Sequence, residues 1–240
     1  MTEKAPLINS TTKAGLKYQE IKTNIQPFDL ILFKGHDFVS KFIQWLSRTE
    51  LGDGAQEYSH AGIIVTRDIL DIPELLHGKL YIFESTMSGN LADGVPNIDG
   101  TSFLGVQIRD FDEVMKHYDG HPNTRIHWLS LKGNPIHSLD KQIIYSKMQK
   151  LYEHYKWHRY EINPIQLFAA MFPRCRWLRP TCCMDKFVFC SELVADVYNE
   201  FGVFSCHSEN VIPADFAVQD EDKEIDFQKF DNYLITYVQS

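Results

Sequence analysis

The residue best placed to do chemistry in this sequence is Cys190, in the run Phe187-Val188-Phe189-Cys190-Ser191-Glu192-Leu193-Val194. The apolar residues before it read as a short strand, and those after it open a helix. The sulfur then falls on a first helical turn. Unpaired backbone N–H groups and the positive end of the helix dipole favour thiolate over thiol there, and they offer donors to a developing oxyanion. The competing reading is a structural cysteine, because free cysteine is among the most buried residue types. A thiol nucleophile needs a base. Of ten histidines, His60 stands out: Tyr58-Ser59-His60-Ala61-Gly62-Ile63-Ile64-Val65 puts it at the entrance of an apolar strand. The small Ala61 and Gly62 leave room for another chain or a substrate to approach. An imidazole there would take the thiol proton and later protonate a leaving group; alone, it also reads as a hydrogen-bonded strand-end histidine. A third group should fix the imidazole tautomer. Glu84, in Tyr81-Ile82-Phe83-Glu84-Ser85, ends the next strand and would reach His60 if the two strands are neighbours. Its competing reading is a solvated strand end, the usual fate of a glutamate.

The elements that must position these residues follow from hydrophobic patterning. Phe28 to Phe33 (FDLILF), bounded by Pro27 and Gly35, reads as a buried strand. Phe38, Val39, Phe42, Ile43 and Leu46 predict an amphipathic helix over 37–47, followed by a polar loop over 48–57. Strands are expected over 60–65, 80–84, 106–109 and 125–131, joined by connections too short for crossover helices, which predicts an antiparallel sheet or small barrel. Ser138 reads as the N-cap of a helix carrying Ile143, Ile144, Leu151, Tyr152 and Tyr155 on one face. Asn163-Pro164 reads as the opening of another helix, running to about 172. Leu193 to Phe201 predicts a helix closed by Gly202, and 233–238 a last strand. Residues 1–24, polar and without periodicity, read as an N-terminal extension, with one domain over 25–240. The class expected is α+β.

Composition bounds the function. With 240 residues the chain is long enough for one domain with its own core. Lys and Arg number 24 against 32 Asp and Glu, a net charge of −8 that argues against a general nucleic-acid binder. No run approaches the ~18 apolar residues of a membrane span, which leaves only peripheral membrane contact open. The opening residues lack the apolar core of a secretory signal. The five cysteines, Cys175, Cys182, Cys183, Cys190 and Cys206, are odd in number and clustered. They do not read as a disulfide framework, which points to a reducing compartment.

SHAGIIV, IFES and FVFCSELV, in that order, resemble the three motifs of the permuted papain-like superfamily, the NlpC-type cysteine hydrolases, and above all its YiiX-like branch with poxviral members. In that branch the histidine strand precedes the cysteine helix, as here, where 130 positions separate His60 from Cys190. FDLILF resembles the branch's opening strand, with Pro27 where glycine is common, and Val211-Ile212-Pro213-Ala214-Asp215-Phe216 resembles its segment after the cysteine helix. The similarity covers roughly residues 27 to 217. It implies an antiparallel sheet or small barrel packed against helices. It also implies Cys190 as nucleophile, His60 as general base and Glu84 as the residue orienting it. The implied activity is hydrolysis or acyl transfer at an amide or ester bond through an acyl-thioester, with an amidase or peptidase role foremost. The relatives also include lipid-directed acyltransferases and phospholipases, and the scaffold can serve as a non-catalytic binding or virion/host-interaction module. No cofactor or metal is implied, and the partner expected is a small amide, peptide or lipid-ester substrate.

Two stretches lie outside this pattern. Residues 172–183 are basic and aromatic inside an acidic chain, and read as a surface insertion or as a lid or docking surface. Cys175, Cys182 and Cys183 lack the spacing of a typical zinc site. The aromatic segment Tyr152 to Tyr160 reads as half core and half surface, or as the lining of a substrate groove.

Overall fold

The structure is a computed structural model that describes residues 13–34, 58–86, 95–101, 104–119, 125–160, 187–217 and 230–236. The expected helices over 37–47 and 163–172, the loop over 48–57 and the insertion over 172–183 lie outside these residues. Within them the chain is α+β. Nine strands form one sheet: β1 (Lys13–Lys17), β2 (Leu30–Lys34), β3 (His60–Val65), β4 (Tyr81–Thr86), β5 (Gly105–Asp110), β6 (Arg125–Leu131), β7 (Arg159–Tyr160), β8 (Phe187–Val188) and β9 (Phe230–Thr236). Their order is β1-β9-β6-β2-β3-β4-β5-β7-β8. The middle of the sheet is antiparallel, as expected, while the outermost pairs, β1 with β9 and β7 with β8, are parallel.

The continuous apolar run of β2 has a physical reason: both faces of the sheet are covered. Leu30 and Leu32 join a core with Ala61, Ile63, Phe83 and Ile108, whereas Ile31 and Phe33 join a second core with Ile64, Ile82 and Trp128. A strand buried on both sides loses its polar alternation. Four helices complete the layers: α1 (Tyr18–Ile21), α2 (Phe111–Asp119), α3 (Lys141–Tyr155) and α4 (Cys190–Glu200). Residues of α3 and α4 line the first core, with Ile144, Met148, Leu193, Val194, Val197 and Tyr198 all buried. The second is closed by Tyr18 and Ile21 of α1 and by Phe111, Val114 and Met115 of α2.

Three local expectations are corrected. Residues 13–24, read as an extension, contribute β1, α1 and a 3-10 turn, and Tyr18 is fully buried with its hydroxyl donating to Asp112. The connection after β5 holds a helix, α2, whose first-turn amides at Asp112 and Glu113 donate to Asp110. Helix α3 is capped by Asp140, not Ser138: Asp140 accepts from the Gln142 amide at 2.8 Å, while Ser138 donates to the Pro135 carbonyl. Its Ile143 is half-exposed rather than on the buried face. Gly202 does close α4, with a φ of +69°.

Asp29, buried just before β2, ties this frame together. It accepts from the Trp128 indole at 2.7 Å, the Leu131 amide at 3.1 Å and the Gln26 amide at 2.9 Å. Burial pushes its carboxyl up to about 6 against the opposing pull of those donors, so it is ionised at neutral pH. Asn at this position has one acceptor oxygen and must turn its NH2 toward a donor. Asp29→Asn is expected to cost about 1–3 kcal/mol of unfolding free energy at pH 7, read by urea denaturation. An unchanged midpoint would show that these bonds do not hold β2 to β6.

Candidate active site

Strand pairing decides which side chains can meet. Ile64 of β3 lies opposite Ile82 of β4, and Ile63 opposite Phe83. Side chains alternate along a strand, so His60, Gly62 and Ile64 share a face with Ile82 and Glu84. On β5, Gln107 lies opposite Glu84 and Arg109 opposite Ile82, which brings Arg109 to the same face. The sheet thus gathers an imidazole, a carboxylate and a guanidinium.

These groups form a chain of charge-assisted bonds. His60 Nε2 lies 2.5 Å from one Glu84 oxygen, and Arg109 Nε donates to the other at 2.5 Å. Glu84 and Arg109 are fully buried, and His60 is nearly so. Burial alone would raise the Glu84 carboxyl, but the Arg109 and His60 charges and their hydrogen bonds hold it below the ordinary carboxylate value. Burial likewise pulls the His60 imidazolium down. It is outweighed first by the charge of Cys190, then by that of Glu84, with a hydrogen bond to each, and the group is raised to about 10. With Nε2 turned to Glu84, Nδ1 remains for Cys190. The three residues expected from the sequence are therefore brought together, with Glu84 buried rather than solvated.

Cys190 is the first residue of α4 and is buried. The Phe189 ring at the N-cap offers no acceptor to the first-turn amides. Glu192 reaches back to accept the Phe189 amide at 3.3 Å, which completes one half of a capping box. The junction is pinned on both sides: Ser85 donates to the Val188 carbonyl at 2.7 Å, and Ser191 to the Val211 carbonyl at 2.6 Å. Behind it the buried Tyr198 hydroxyl donates to the carbonyl of Phe28, a residue held at a left-handed φ of 71°. The helix thus keeps its start fixed while its apolar face is packed. Val211 to Phe216, the flank picked out by resemblance, serves as part of that clamp.

Arg109 was not legible as a site residue. An arginine two positions from Gln107 on a strand has the period of a solvated face, and only the pairing of β4 with β5 turns it inward. Gly62 also has a different role from the one expected. A Cβ there would lie 2.6 Å from Ile82 Cγ1 and Cδ1 and 3.2 Å from Glu84 Cβ, so the space is taken by β4, not by an approaching substrate. Helix α3 ends at Tyr155, and Tyr155 donates to Asp196 of α4 at 2.6 Å, while Trp157 is exposed. Among the described residues, no group of three His, Cys, Asp or Glu is arranged to hold a metal ion, and no helix is long and apolar enough to cross a membrane. Cys190 and Cys206 are free thiols, and Cys175, Cys182 and Cys183 lie outside the described residues. Gly62→Ala is expected to destabilise by about 1–3 kcal/mol through overpacking and to loosen the Glu84–His60 bond. Thermal melts together with the His60 side-chain resonance by NMR check this; a variant with wild-type melting and resonance would show that β4 yields freely at this point.

No protein-family model matches the sequence, and no curated protein matches it. Among solved structures, the chain is similar to the crystal structure of the metalloprotein yiiX from Escherichia coli O157:H7, with a TM-score of 0.44 and 19% identity, covering 76% of this chain and 71% of that one.

Proposed function

We propose that this protein is a cysteine hydrolase or acyl transferase that acts on an amide or ester carbonyl, with Cys190 as nucleophile, His60 as general acid–base and Glu84 as the group that orients His60. One observation carries the reading: a buried carboxylate, an imidazole and a thiol touch in sequence, with the thiol on the first turn of a helix. A structural cysteine has no use for a histidine that is itself held by a buried ion pair. The order of motifs along the chain supports the same assignment.

In the reaction, His60 takes the Cys190 thiol proton, the sulfur bonds to the carbonyl carbon, and the carbonyl π electrons move to oxygen. First-turn amides of α4 supply donors for that oxyanion. The intermediate collapses by breaking the bond to the leaving amine or alkoxide, which takes a proton from His60. The acyl group is left as a thioester on Cys190. Water, or an acceptor hydroxyl or amine, then attacks the thioester and gives up its proton to His60. The acyl product leaves, and the thiol–imidazole pair is restored.

Cys190→Ala is expected to lower kcat/KM by at least about 10³-fold and to leave the melting temperature near that of the wild type. An amide and an ester panel, with intact-protein mass spectrometry of acidified reactions, supplies the measurement. A fatty-acyl adduct on Cys190 identifies a lipid substrate and a peptidyl or aminoacyl adduct an amidase. Full activity in the variant would overturn the assignment. The alkaline side has a defined sign. His60 gives up its proton only as pH rises through about 10, so protonation of the leaving group, and with it kcat/KM, is expected to fall in that region. A fall already centred near pH 7 would contradict an imidazolium held by Cys190 and Glu84.

A further inference from the structure

We infer that Arg109 is a positioning residue of this site: by holding one oxygen of Glu84, it aims the other at His60 and keeps the carboxylate available to the imidazole. The inference rests on the Cys190–His60–Glu84 reading, and it adds a group from a third strand that the three motifs do not contain.

The geometry argues it from two directions. The first is direction of approach. Arg109 Nε donates to Glu84 Oε1 at 2.5 Å, and His60 Nε2 meets Oε2 at 2.5 Å. A carboxylate held at one oxygen by a rigid, planar donor cannot rotate about its terminal bond without losing that contact, so the second oxygen is fixed in place. The second is charge. Glu84 is fully buried, and an isolated carboxylate in such a place would take up a proton. A protonated Glu84 would no longer stabilise positive charge on the imidazole. Guanidinium is the cation least able to give up its own proton, so it keeps Glu84 ionised whichever state His60 is in.

Among the described residues, the surrounding charges leave this role to Arg109. On Glu84 act Arg109 from β5 and His60 from β3; on His60 act Cys190 from α4 and Glu84 from β4. Asp110, next along β5, is engaged by Lys79 at 2.8 Å. Asp112 of α2 is engaged by Lys22 at 2.5 Å and by the Tyr18 hydroxyl. These outer pairs compensate one another at the margin of the second core.

The test needs no substrate. Alkylation of Cys190 by iodoacetamide, followed residue by residue by mass spectrometry across pH 4 to 9, reports how the Cys190–His60 pair responds to protonation. Removing the Arg109 charge is expected to raise the Glu84 carboxyl and move the acid limb of this profile up by about one pH unit or more. Arg109→Gln is the direct variant, and Arg109→Lys, which keeps charge but not the fork, is expected to hold the limb nearer the wild type. Because loss of one partner from a buried pair can unfold a protein, the double variant Glu84→Gln/Arg109→Gln is measured beside Glu84→Gln alone. The two are expected to share one profile, since Arg109 works through Glu84. A folded Arg109→Gln with an unshifted limb, or a further shift in the double variant, would overturn the inference. Equal labelling of Cys190 and Cys206 in the wild type would instead overturn the proposed function, and it separates that failure from this one.

Discussion

A single buried carboxylate governs the site. Glu84 is fully buried, with no solvent to share its charge, and it is flanked by Arg109 and His60. Transferring such a group from water costs several kcal/mol, and the cost is offset only where each oxygen finds a well-placed, charged donor. Arg109 and His60 meet that demand, one per oxygen. The same demand makes the arrangement stiff. Neither donor can drift without exposing a charge to an apolar surround, where Ile64, Ile82 and Phe33 belong to the adjoining core. Pre-organisation of the imidazole is therefore a consequence of burial, not an addition to it.

That constraint reaches back into the sheet. Three adjacent strands must keep a fixed register for β3, β4 and β5 to offer His60, Glu84 and Arg109 to one another, and a slip of one residue would turn all three away. The register is specified by apolar residues on both faces, with one core sealed by α3 and α4 and the other by α1 and α2. Gly62 belongs to the same requirement: a side chain there would press on Ile82 and, less closely, on Glu84 Cβ. Chain segments remote from Glu84 contribute to the same face: Tyr18 is fully buried in the second core, and its hydroxyl is held by Asp112.

Much of this was legible in the residues, for identifiable reasons. β3 and β6 were read with their true ends, because apolar runs bounded by polar residues leave little freedom, and Gly202 marked the end of α4 because its left-handed conformation suits glycine. What escaped depends on partners distant in the chain. β1 is recognisable only once β9 lies beside it in parallel. Helix α2 hides its Phe111, Val114 and Met115 stripe among acidic neighbours, directly after a strand and with no intervening turn residue. The roles of Arg109 and Glu84 as a buried pair cannot be separated from those of two solvated strand residues until β4 and β5 are paired, since both alternations look alike in one dimension.

Strand β4 supplies the measure that relates sulfur to imidazole. Consecutive residues on it point to opposite faces: Glu84 turns toward His60, and Ser85 turns toward the Val188 carbonyl, two residues before Cys190. The orientation of the imidazole and the position of the helix start are thus set by neighbouring peptide units of one strand, which differ by a distance that covalent geometry fixes. The Ser191 bond to Val211 secures the helix from its other side without adding a new reference point. In this way contacts of β4 help to hold Cys190 beside His60, 130 positions away in the chain.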